Sequence, residues 1–228
     1  MQDKLDKIIR LIDSDDILLS YIPGNTDKAI VIFTDHSNRR EQFVRYAIGN
    51  HTYIFIGDKK DSWGNRLDLD KIMPHVKDLT KNKTVMSIGN SMGGNMAIVF
   101  ADLFNISYCL SFVPQYSIRD SIINNDYLAS DERLIEDWRF EHVIFNDHTK
   151  YTILTTNYDH DSYHVDLFKE HIKPNVQMLI FDKDQGFHHG VVAQLRDMNR
   201  LEAIMTEFIS NGQISNGTYE ELKQHLVE

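Results

Sequence analysis

The sequence predicts a doubly wound α/β fold: a mostly parallel sheet of about seven strands with helices on both faces. Short apolar runs rich in β-branched residues recur along the chain, and amphipathic stretches of helical spacing separate them. Several of these runs are apolar at every position instead of alternating. A strand covered by helices on both faces has no polar side, so Ala29-Ile-Val-Ile-Phe33 and Met178-Leu-Ile-Phe181 are what a buried parallel sheet requires.

The strand candidates in chain order are Ile17 to Ile22, Ala29 to Thr34, Tyr53 to Ile56, Thr84 to Ile88, Ser107 to Val113, Tyr151 to Thr155 and Val176 to Phe181. Gly24-Asn25 lies between the first two, which are too close for a crossover helix, so an N-terminal antiparallel hairpin of that pair is expected. Arg40 to Ile48, Leu69 to Leu79, Met92 to Phe104 and Ala193 to Ser210 carry helical spacing. Leu201, Ile204, Met205 and Phe208 make the clearest core-facing stripe. Residues 115–148 interleave acidic and apolar residues and read as a helical excursion over the top of the sheet, either a surface insertion or a substrate-covering cap.

A chain of 228 residues with 42% hydrophobic residues and four prolines suits one packed domain spanning residues 1–228. Its formal charge of −10 offers no attraction to a nucleic-acid backbone or an anionic membrane surface. Cys109 is the only cysteine, which rules out an intrachain disulfide, and its apolar run suggests a buried thiol. The first ten residues mix both charge signs and lack a secretory pattern, and no apolar stretch has transmembrane length. A cytoplasmic protein without membrane insertion is expected, and the oligomeric state is left open.

The segment that carries chemistry is Gly89-Asn90-Ser91-Met92-Gly93-Gly94, which follows the run Thr84 to Ile88 and opens a helix-prone stretch. This is G-x-S-x-G between strand and helix, where a sharp turn exposes a serine hydroxyl and glycines let the helix pack close behind. The turn aims backbone amides of the helix start toward the hydroxyl, so the Met92 N–H is a candidate oxyanion donor. A second donor is expected from the loop after Ala29 to Thr34, at Asp35 or His36.

A hydroxyl becomes a useful nucleophile when an imidazole takes its proton. His188 and His189 follow the last predicted strand, with His189 favoured because Gly190 frees its backbone. The acid that orients such a ring is expected after the penultimate strand, where Asp159 and Asp161 compete and Asp161 is favoured by its distance from the strand end. A competing reading takes Asp159, His160, Asp161, His164, His188 and His189 as ligands of a divalent metal, but they show no familiar ligand spacing. The favoured chemistry calls for no cofactor and no metal.

With elbow, acid and histidine in the order Ser91, Asp161, His189, the chain resembles the α/β-hydrolase superfamily from about Ile17 to Ile209. It is further similar to small hydrolase-like proteins of bacterial capsule and exopolysaccharide biosynthesis, including capsule O-acetyltransferases. That likeness rests on Ile56-Gly-Asp58 with Trp63, Phe112-Val-Pro114-Gln115, Asp161-Ser-Tyr-His164, and His189 six residues before Leu195. The resemblance implies a Ser91, Asp161, His189 triad acting on a small-molecule or saccharide ester, by hydrolysis or by acyl transfer to a sugar. The segment Phe33-Thr-Asp-His36 departs from the HGGG oxyanion loop of larger members. A non-catalytic scaffold of the same fold is the remaining alternative.

Overall fold

A computed structural model describes residues 2–36, 40–123 and 129–224. Eight strands form one sheet: β1 (Ile9–Asp13), β2 (Ile17–Ile22), β3 (Lys28–Phe33), β4 (Thr52–Asp58), β5 (Thr84–Asn90), β6 (Tyr108–Phe112), β7 (Lys150–Thr156) and β8 (Val176–Phe181). The helices are α1 (Gln2–Leu5), α2 (Leu69–Thr80), α3 (Met92–Val99), α4 (Asp120–Ile123), α5 (Ala129–Glu132), α6 (Asp159–His171), α7 (Val191–Asp197), α8 (Leu201–Asn211) and α9 (Asn216–Gln224). Strand order is β1-β2-β4-β3-β5-β6-β7-β8, and every pairing from β4 onward in that order is parallel.

The apolar runs are buried because helices cover both faces of the sheet. One core packs Val31, Phe33, Ile54 and Ile56 against Met92, Met96 and Phe100, and the other packs Ile30, Ile32 and Phe55 with Val191, Met205 and Phe208. Alternate residues of the same strands therefore serve opposite layers, as a period of two demands.

Four local expectations need correction. The N-terminal hairpin exists, but it joins β1 to β2, and β2 runs antiparallel to β4 instead of pairing with β3. β1 escapes a pattern reading because its residues are exposed or only half-buried, as befits an edge strand. Of Arg40 to Ile48, only a single 3-10 turn at Val44–Tyr46 is helical, entered through Phe43 in the left-handed region at φ 60°. The stretch from Met92 ends as a helix at Val99 and continues in turns to Asn105, which has φ 52°.

The C-terminal stripe is split into α7 and α8 by Asn199 at φ 56°, although Leu201, Ile204, Met205 and Phe208 are all buried as their spacing requires. The excursion at 115–148 carries just the short α4 and α5 among its described residues, and residues 124–128 lie outside them. Arg139 fastens it to the loop between β4 and α2, donating to the carbonyls of Gly64, Asn65 and Leu67. Cys109 is buried in β6, and burial pushes its thiol pKa up to about 12. Among the described residues, no helix is long and apolar enough to cross a membrane.

Candidate active site

β5 ends in the elbow, and Ser91 occupies it at φ 53° and ψ −119°, a conformation that costs a non-glycine residue energy. The surroundings enforce it. The Ser91 N–H donates to the Phe112 carbonyl at 2.8 Å, tying the turn to β6. A Cβ at Gly89 would lie 2.0 Å from the Gly93 carbonyl oxygen, and one at Gly93 would lie 2.4 Å from that of Phe33. Only glycine lets α3 sit this close behind the turn. Met92 opens α3, so its N–H has no acceptor one turn earlier in the helix.

Three loops at the C-terminal ends of parallel strands meet above this turn. Ser91 Oγ lies 3.0 Å from His189 Nε2, and His189 Nδ1 lies 2.7 Å from Asp161 Oδ1. The other Asp161 oxygen accepts from Thr156 Oγ at 2.5 Å, at the end of β7. Because the Asp161 carboxylate accepts, His189 carries its proton on Nδ1 and presents Nε2 as the acceptor for the serine hydroxyl.

Asp161 follows β7, as expected, and lies in the first turn of α6. A helix N-terminus favours a carboxylate there. The acid and base loops are laced together: Asn157 donates to Asp182 and accepts from the Lys183 N–H at 2.6 Å. Gln194 of α7 steadies the base loop by accepting from the His188 N–H and donating to the Gly186 carbonyl.

The competing residues lie elsewhere. Asp159 is exposed and pairs with Lys183 at 3.1 Å, and His188 is exposed with its Nδ1 accepting from the Gly190 N–H. His164 is buried, and its Nδ1 accepts from the Tyr116 N–H at 3.2 Å. Burial lowers its pKa to about 4, so it is neutral near pH 7. Among the described residues, no group of three His, Cys, Asp or Glu side chains converges as metal ligands would.

Burial alone would lower the His189 pKa. The hydrogen bond and negative charge of Asp161, with the Asp35 carboxylate beyond, outweigh that and raise it above the ordinary value of 6.5. Asp35 is itself shifted upward, chiefly by burial, against the pull of its bond from Asn90 Nδ2 at 2.6 Å.

The loop after β3 departs from the expected donor role. The Asp35 N–H donates to Gln42 Oε1 at 2.9 Å, and the His36 N–H donates to the Asp35 carboxylate at 2.7 Å. Both backbone donors are therefore committed locally. The side chains of both residues still line the cavity above Ser91, about 410 Å³ in volume, together with Trp63, Gln115, Asp131 and His189.

Gln115 was not a site candidate from sequence, and it touches the serine. Its Nε2 donates to Ser91 Oγ at 3.1 Å, and its Oε1 accepts from Trp63 Nε1 at 3.2 Å. No motif spacing links residue 115 to residue 91; the available signal was its place three residues past the end of β6, a strand ending at the same sheet edge.

No protein-family model matches the chain, and no curated protein is significantly similar to it in sequence. Solved structures do match. The capsule O-acetyltransferase of Neisseria meningitidis serogroup A superposes with a TM-score of 0.61 at 12% identity, covering 86% of this chain and 93% of that one. XC6422 from Xanthomonas campestris, a member of a/b serine hydrolase without lid, superposes at 0.56 with 13% identity, covering 89% and 93%.

The fold is that of the α/β hydrolases. The S-formylglutathione hydrolase of Staphylococcus aureus superposes likewise, at 0.56 and 12% identity over 87% of this chain and 97% of that one. The α/β-hydrolase fold accounts for the elbow after β5 and for the loops after β7 and β8 facing it, because ligand sites of such sheets lie at the C-terminal strand ends.

Proposed function

We propose that this chain is a serine-dependent hydrolase that cleaves an ester or acyl group through an acyl-Ser91 intermediate. One observation carries the reading: the unbroken chain from Ser91 Oγ to His189 Nε2 at 3.0 Å and from His189 Nδ1 to Asp161 Oδ1 at 2.7 Å. His189 takes the hydroxyl proton as Oγ bonds to the acyl carbon, and the carbonyl π pair moves onto oxygen. Collapse of that adduct expels the leaving group, which His189 protonates; water, deprotonated by His189, then releases the acid. Asp161 holds the ring and favours its protonated form, while the Met92 N–H supplies one oxyanion donor.

A second reading, O-acyl transfer to a sugar hydroxyl, is favoured by the similarity to a capsule O-acetyltransferase and by a cleft open enough for an acceptor. Both share the acyl-enzyme and differ in what attacks it. Fluorophosphonate labelling of the wild type, absent in Ser91→Ala, tests the activated serine. No labelling of folded wild-type protein would favour the idle scaffold. Acetyl release from 4-nitrophenyl acetate or acetyl-CoA, measured with and without a saccharide acceptor, separates hydrolysis from transfer. A cytoplasmic location and residues 115–148 acting as a partial cap belong to the same proposal, the latter supported by Gln115 and Asp131 lining the cleft.

A further inference from the structure

An oxyanion in a cleft that also holds the Asp35 carboxylate needs more than one donor, and among the described residues at the start of the loop after β3 the Asp35 and His36 backbone amides are already taken. The geometry points to the side-chain amide of Gln115 as the second oxyanion donor, standing in for that backbone N–H. The inference rests on the acyl-serine reading and deepens it.

The orientation of the amide is decided by its neighbour. An indole N–H can only donate, so Trp63 Nε1 fixes the Gln115 oxygen on its own side and turns the NH₂ toward Ser91. The serine oxygen thus accepts from Gln115 while its own hydrogen is directed to His189 Nε2. When Oγ bonds to the acyl carbon and loses its proton, the amide is left facing the oxygen borne by that carbon. Gln115 gives a hydrogen bond there and transfers no proton.

Preorganisation distinguishes this donor from a mobile polar side chain. Gln115 is 3% exposed. Its carbonyl accepts from Asn95 Nδ2 at 2.8 Å, and the next N–H, of Tyr116, is held by His164. Trp63 is equally constrained, at φ 51° within a loop whose neighbours Ser62 and Gly64 donate to the buried Asp58 carboxylate. The donor costs little reorganisation when charge develops.

The test is the kinetics of labelling by a fluorophosphonate, whose phosphoryl oxygen occupies the oxyanion position once Ser91 attacks. Gln115→Glu and Gln115→Met keep the volume and remove the donor. Each is expected to lower the limiting labelling rate constant by about 10²- to 10³-fold, with the half-saturating probe concentration little changed, in protein that melts like wild type. Affinity for phenylboronic acid, which forms a tetrahedral adduct on the serine, is expected to fall in parallel. Trp63→Phe, which frees the amide to flip, is expected to lose part of the rate.

A reactive wild type whose folded Gln115 variants label at the wild-type rate overturns the role of Gln115 alone. A wild type that does not label overturns the acyl-serine reading and this inference with it.

Discussion

Asp161 and His189 come from segments 28 residues apart, yet the carboxylate oxygen stands 2.7 Å from the imidazole Nδ1, with Thr156 holding the other oxygen. Asp161→Asn can donate to Nδ1 and so favours the wrong tautomer of the ring. The expected loss in kcat is about 10³- to 10⁴-fold. Asp159→Asn removes only an exposed ion pair with Lys183 and is expected to leave kcat within about twofold. Steady-state hydrolysis of 4-nitrophenyl acetate by the two variants decides the acid; equal losses would contradict this assignment.

The tandem histidines are expected to separate just as cleanly. His189→Ala removes the group 3.0 Å from Ser91 Oγ and should abolish fluorophosphonate labelling, whereas His188→Ala should label like wild type. In the wild type, kcat/KM should rise with pH as His189 loses its proton. Because Asp161 and Asp35 raise that pKa, the midpoint is expected above 6.5, and a midpoint below it would mean that burial dominates.

His164 should make the protein acid-sensitive. Its folded pKa of about 4 lies below the ordinary 6.5, so between those values the unfolded chain binds a proton that the native chain refuses. Stability therefore falls as pH drops through that window, by at most about 1.4 kcal/mol per unit from this residue. Urea midpoints at pH 7 and pH 5 measure it. The drop should be smaller in His164→Gln, and an unchanged drop would assign the sensitivity to other groups.

Gly93→Ala is expected to destabilise the protein by at least about 1–3 kcal/mol, because a Cβ there meets the carbonyls of Phe33 and Thr34 rather than a flexible side chain. Gly186→Ala is the control: nothing lies near its Cβ, and its cost should come from the positive φ alone. Urea unfolding with unchanged m-values compares the two.

The fold class and the strand–turn–helix elbow were legible in the sequence because each is a local pattern. A strand covered on both faces is apolar throughout, and a turn with α3 packed behind it admits only glycine at positions 89 and 93. Asp161 and His189 were favoured over their neighbours from spacing along the chain, and Asp161 sits in the first turn of α6.

What local pattern does not contain is the partner of each polar group across the sheet edge. The pairing of β2 with β4 and the contact of Gln115 with Ser91 both join residues far apart in sequence. A side-chain amide has two ends and no periodicity. Whether Gln115 faces the serine as donor or acceptor was decided only when folding set the Trp63 indole against its other end.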